Sequence, residues 1–123
     1  MRPLALLLLA TALVSAAEAT LTPEDLHGVW VPDAKAVTAA QKSALAAAAK
    51  IEGYGITFTA RICRVVLGED EQYAGQWRLD APTAAGAVLV IQPRGAEERR
   101  LNLVLNDKRL TVDGGLPLTK APR

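Results

Sequence analysis

Cysteine, histidine and aromatic side chains are scarce here. The 123 residues hold one cysteine (Cys63), one histidine (His27), two tryptophans, two tyrosines and one phenylalanine. A lone cysteine cannot close an intrachain bridge, so packing must hold the fold together. Without a second histidine or a cysteine pair, a zinc-type ligand set is missing, and His27 is expected instead to cap the end of a helical turn. Beyond residue 19 there is one serine, Ser43, placed among lysines on an expected outer helix face, so no nucleophilic triad can be assembled. Charge of one sign is also lacking: 14 basic residues face 13 acidic ones, for a net charge of +1. That excludes long disorder and an electrostatic nucleic-acid surface. No phosphate-binding glycine loop is present, since Gly53 and Gly55 fall at a helix end and Gly114-Gly115 reads as a hairpin turn. No cofactor is expected. The length suits one domain with one core.

What is present begins with a leader. Met1-Arg2-Pro3 gives a positive start, Leu4 to Val14 is uncharged and leucine-rich, and Ser15-Ala16-Ala17-Glu18-Ala19 has the small-x-small pattern of a signal-peptidase site. Residues 1–19 are therefore expected to be a removed signal peptide, cut after Ala19 or else after Ala17, leaving 20–123 as a single exported domain. The apolar run stops at Glu18, short of the roughly 20 residues that a spanning helix needs. A bacterial lipid anchor would require cysteine at the cut, and Cys63 is far downstream. The expected location is periplasmic or secreted, and the chain is expected to be neither membrane-spanning nor a lipoprotein.

Thr22-Pro23-Glu24-Asp25 reads as a helix start, ended after one turn by Gly28, and Gly28–Pro32 as a short strand. Residues from about 34 to 51 are helix formers, with Val37, Ala40, Gln41, Ala44, Leu45, Ala48 and Ile51 on one side. Thr38 with Gln41 offers a later start through a capping box. From Gly55 the period becomes two, with turn residues at close spacing. Ile56 and Phe58 are out of phase with Cys63 and Val65, which demands a tight turn near Ala60-Arg61 or a bulge. Tyr73, Gly75, Trp77 and Leu79 form a half-buried set. Ala87 to Ile91 is apolar on both faces, so this strand should lie under the helix or against another surface. Leu101, Leu103 and Leu105 alternate with polar neighbours, and Pro117 marks the last strand as an edge or a frayed seam. The expected fold is mainly β or α+β: an antiparallel up-and-down meander of about seven or eight strands, curled into a small barrel or half-barrel, with one amphipathic helix between the first and second strands.

Leu26-His27-Gly28-Val29-Trp30, a helical turn running into G-x-W on the first strand of such a meander, resembles the lipocalin-like, or calycin, group. In that group the tryptophan closes one end of the barrel, and a basic side chain near the end of the last strand packs over it. The resemblance implies these roles for Gly28 and Trp30, with Lys120 or Arg123 as the basic partner, in a small bacterial secreted domain. Lipocalins are longer and keep their first two strands adjacent, whereas here an alanine-rich helix intervenes. Inhibitors of secreted proteases are built on small lipocalin-like barrels, so the resemblance also implies an inhibitor-like protein binder.

Strands this short leave little room for a cup, because an eight-stranded barrel is just wide enough for side chains or one small ligand. The first functional expectation is a non-enzymatic binding module of the bacterial cell envelope, meeting an envelope or secreted protein through loops or an exposed edge. The second is a carrier of a small apolar ligand, lined by Phe58, Trp77 and Leu103 with the helix as lid. Glu69-Asp70-Glu71 and Glu97-Glu98 read as solvated turns, since the alternating oxygen ligands of a calcium loop are absent. The arginines at 61, 64, 78, 94, 99, 100 and 109 are spread over strands and turns. If outward ones share a face, they suit an acidic partner; otherwise they keep the sheet soluble. Cys63 is expected to be a buried, inert strand residue, the other reading being a reactive thiol or an interchain bridge.

Overall fold

The computed structural model of the protein describes residues 20–122; the expected leader with its cleavage sites, and Arg123, lie outside the described residues. Helix α1 (Pro23–Leu26) is the single turn that its capping residues specify. The Asp25 carboxylate accepts the Thr22 N–H at 2.9 Å and the Thr22 hydroxyl at 3.0 Å, so donors that a helix start leaves unpaired are satisfied locally. The chain then runs into β1 (Gly28–Pro32), followed after a long connection by β2 (Gly55–Phe58), β3 (Ile62–Val66), β4 (Gln72–Asp80), β5 (Gly86–Pro93), β6 (Arg99–Asn106), β7 (Arg109–Val112) and β8 (Leu118–Lys120).

Each strand pairs antiparallel with the next, and β8 returns to β1 through Trp30↔Lys120, Val31↔Thr119 and Pro32↔Leu118, which closes the barrel. An eight-stranded up-and-down barrel of the lipocalin-like kind results. Closure gives every strand a neighbour on both sides among the described residues. The seam is thin where expected: β7 and β8 share a single registered pair, Leu110↔Leu118. Pro117 stands just before β8, and its carbonyl instead accepts the Asp33 N–H at 2.8 Å.

The phase change between Phe58 and Cys63 is a tight turn and not a bulge. Thr59 holds it, its hydroxyl donating to Ile62 O at 3.0 Å and accepting the Ile62 N–H at 3.0 Å. Inward residues then fill the barrel: Ile56, Phe58, Cys63, Val65, Leu89, Ile91, Leu103, Leu110 and Leu118 are all at most 2% exposed. Gly55 opens β2 at φ +138°, where any Cβ would run into the Trp30 carbonyl oxygen. Only glycine lets β2 approach β1 there.

Two expectations are corrected. The long helix expected over 34–51 is a 3₁₀ turn (Ala39–Gln41) running into α2 (Lys42–Ala49). Asp33 Oδ1 accepts the Lys35 N–H at 3.1 Å and bends 33–36 into a turn, while Thr38 is extended and its N–H goes to Gln41 Oε1 at 3.1 Å. Local side-chain bonds thus outcompete helix propensity at the start. Of the expected buried side, Ala48 is buried and Leu45 and Ile51 are half-buried, but Ala40 and Ala44 are exposed. The helix lies beside Val31 and Pro32 of β1 and close to Tyr54.

The second correction concerns β5, which is not covered by the helix. Val90 points outward yet is 1% exposed, and its neighbours across the strands are Arg78 on β4 and Arg100 on β6. Both arginines are held by Asp80 and Glu98 at 3.2–3.6 Å. Their aliphatic stems therefore roof Val90 while their charged ends stay in water.

Candidate functional site

An up-and-down barrel has two ends, and this sequence treats them differently. At one end α1 delivers Leu26, fully buried, and the segment before it delivers Leu21, whose N–H donates to Thr83 O at 2.8 Å. Trp30 packs above them, 2% exposed, and its indole N–H donates to Leu26 O at 2.8 Å. The Lys120 ammonium lies over the Trp30 ring, 5.5 Å from its centre. Gly28, at φ +132°, leaves room for the Lys120 stem, which passes 3.6 Å from where a Cβ would stand. Gly28, Trp30 and Lys120 thus meet, and Lys120 fills the place for which the sequence offered two basic residues.

Phe58, Trp77 and Leu103, the expected ligand lining, all point into the barrel. Phe58 and Trp77 meet edge to face at 4.9 Å, and the Trp77 N–H donates to Thr59 O at 2.9 Å. Leu103 is 2% exposed. These side chains touch the core and line none of the clefts described below. His27 caps α1 through its backbone N–H, 3.4 Å from Glu24 O, rather than through its ring. The imidazole stands edge-on to Trp77 at 6.2 Å. Ser43 is exposed on α2, in the connection leaving the opposite end of β1. Among the described residues no three metal-ligating side chains come together.

At the opposite end, the mouth, a cleft of about 190 Å³ is lined by Tyr54, Leu67, Glu71, Val112, Asp113, Gly115, Leu116 and Leu118. Burial pushes the Tyr73 hydroxyl up to about 12, with the Glu71 carboxylate adding to the effect, and raises Tyr54 for the same two reasons. Both phenols stay neutral there. Cys63 is fully buried and its thiol is pushed up to about 12 by desolvation, which leaves almost no thiolate for chemistry.

Larger clefts lie on the outer wall. One of about 700 Å³ runs along β1 to β3 past Val29, Thr57, Arg64 and Val66. Another of about 580 Å³ sits over β3 to β5 between Ile62, Ala74, Gln76, Gln92 and Arg94. Val29 and Ile62 are 45% and 42% exposed. These groupings escaped the sequence, because the residues that line each cleft are far apart in the chain and come together only through strand register.

The class that the fold defines is therefore a small lipocalin-like barrel with a sealed end and a filled interior. No family model matches the chain, and neither a curated protein nor a solved structure shows significant similarity to it.

Proposed function

We propose that this chain is an exported, non-enzymatic binding module of the bacterial cell envelope, inhibitor-like in that it acts by occupying the surface of another protein. The observation that carries the reading is the filled interior. Phe58, Leu26, Ile56, Leu89, Ile91, Leu110 and Leu118 are each below 2% exposed and occupy the space where a carrier keeps its guest. Ligand pockets usually measure about 300–1,000 Å³. At the mouth the cleft beside Tyr54 measures about 190 Å³ and a more open one between the 68–71 turn and Arg99 about 500 Å³, and the larger clefts lie on the outer wall, where a macromolecule can reach them. The meeting of Gly28, Trp30 and Lys120 supports kinship with the lipocalin-like group, and the residue 1–19 pattern supports export.

Native mass spectrometry of the mature domain purified from its own source tests the reading. A stoichiometric protein adduct is the expected result. A co-purifying lipophile released only on unfolding would instead make the chain a carrier and overturn the proposal.

A further inference from the structure

The connection between β1 and β2 is fixed at both ends and weakly held between them. At its entry the Asp33 N–H donates to Pro117 O at 2.8 Å, and the Asp33 carboxylate accepts from Arg109 at 3.0 Å. At its exit Tyr54 packs against the core and Gly55 begins β2. Residues 34–53 make no hydrogen bond to a barrel strand and no ion pair among the described residues. Their backbone bonds are local, such as Gln41 N–H to Thr38 O at 3.0 Å and Ile51 N–H to Ala48 O at 3.0 Å. Within 34–53 only Ala48 is buried, at 3% exposure. Leu45, Ala48 and Ile51 face Val31, Pro32 and Tyr54 across a cleft of about 380 Å³. A helix as short as α2 is marginal in water by itself, so this apolar seat is what holds it.

We infer that residues 34–53 form a strap that lifts off the outer wall as one unit while the barrel stays closed, switching the outer face of β1 between covered and uncovered. The inference stands apart from the protein-binding reading, because it follows from how the segment is held. Lifting the strap costs the seat of Leu45, Ala48 and Ile51 and the bonds internal to the strap. Removing any strand instead breaks ladder bonds on both sides and uncovers the core, so the strap opens far below the free energy of global unfolding. Gly53, at φ +75° with open space around it, is the exit hinge, and the turn after Asp33 is the entry hinge. The consequence is a change of surface. In the seated state Val29 is 45% exposed, while Val31, next on the same face of β1, is half-buried beside the helix. With the strap lifted, Val29 and Val31 make one apolar row ending at Pro32, and the apolar side of α2 is freed with it. Because both ends stay anchored, the strap returns to the same seat.

Ala48→Cys puts a thiol on the seated side of α2, and Cys63, fully buried inside the barrel, is the control within the same chain. With a disulfide reagent in buffer alone, the introduced thiol should react completely while Cys63 stays unlabelled until urea unfolds the barrel. Its labelling rate should hardly change with urea below the unfolding transition, because lifting the strap exposes little surface. Leu45→Ala in the same background should raise that rate about fivefold by weakening the seat. Hydrogen exchange of the unaltered domain, read by mass spectrometry, follows the motion without a substitution at the seat. Amides of residues 42–51 should exchange about 100-fold or more faster than those of β4 to β6. Labelling of both thiols in step, no labelling before unfolding, or a rate unmoved by Leu45→Ala would each overturn the strap. Equal protection of α2 and the strands would do the same.

Discussion

Replacing Trp30 with phenylalanine asks whether the sealed end works as its geometry says. The indole N–H is the partner of the Leu26 carbonyl at 2.8 Å, in a place where Leu26 is fully buried and Trp30 is 2% exposed. Phenylalanine keeps the apolar ring but orphans that carbonyl, which costs about 1–3 kcal/mol. The smaller ring leaves a void worth about 1 kcal/mol. A weaker ring face for the Lys120 ammonium, 5.5 Å away, adds about 0.5 kcal/mol. Together these give about 2.5–4.5 kcal/mol. For a domain of this size each kcal/mol moves the midpoint by about 4–8 °C, so Trp30→Phe should lower Tm by about 10 °C or more. Lys120→Met, which keeps the stem beside Gly28 and removes the charge, should cost only about 0.5–1 kcal/mol. Thermal and urea unfolding, followed by circular dichroism, give both values. A Trp30→Phe midpoint within about 3 °C of the unaltered domain would show that the indole bond and the packing around it contribute little to closure.

Cys63 should stay unlabelled by a disulfide reagent at pH 8 until the domain is unfolded, because a thiol pushed up to about 12 and fully buried presents neither thiolate nor access. Stoichiometric labelling of the folded domain would contradict this. Asp33 is held below its ordinary value of 3.8, first by the hydrogen bond from Arg109, which outweighs the opposing desolvation, and then by the Lys35 N–H. Its contribution is present above pH 3.8 and is lost as pH falls through the lower folded-state value, so the Tm difference between the unaltered domain and Asp33→Asn should be largest near neutral pH and shrink as the pH falls below 3.8.

Much of the barrel was legible in the sequence because strand patterning is local. Tyr73, Gly75, Trp77 and Leu79 are half-buried while Ala74, Gln76 and Arg78 between them are exposed, as period two requires. The turn at 59–61 and the thin seam before Leu118 also follow from residues beside them. The length of the helix did not, because helix propensity over 34–51 says nothing of Asp33 Oδ1 accepting the Lys35 N–H or of Gln41 Oε1 accepting that of Thr38, although Thr38 with Gln41 offers the later start. Nor did the cover of Val90, which comes from Arg78 and Arg100 on strands that lie next to β5 only after the sheet forms. Of the site, Gly28 and Trp30 were readable as a motif, and Lys120 as one of two choices. The setting of Arg64 opposite Ala74 is a property of register and was invisible in the chain.

The arginines of the outer wall fall into two kinds, those that cover an apolar residue and those that make no ion pair among the described residues. Arg78 and Arg100 have a complete local explanation: their stems remove Val90 from water, and their charges are met by Asp80 and Glu98. Arg64 and Arg94 shield nothing comparable, since Ala74 opposite Arg64 is exposed and Ile62 remains 42% exposed. An apolar core that already fills the barrel gains nothing from them either. Removing a roofing arginine should therefore destabilise the barrel by exposing Val90, whereas removing Arg64 or Arg94 should leave folding almost unchanged. The same substitution in two places on one sheet thus reports whether the arginine stem keeps an apolar neighbour out of water.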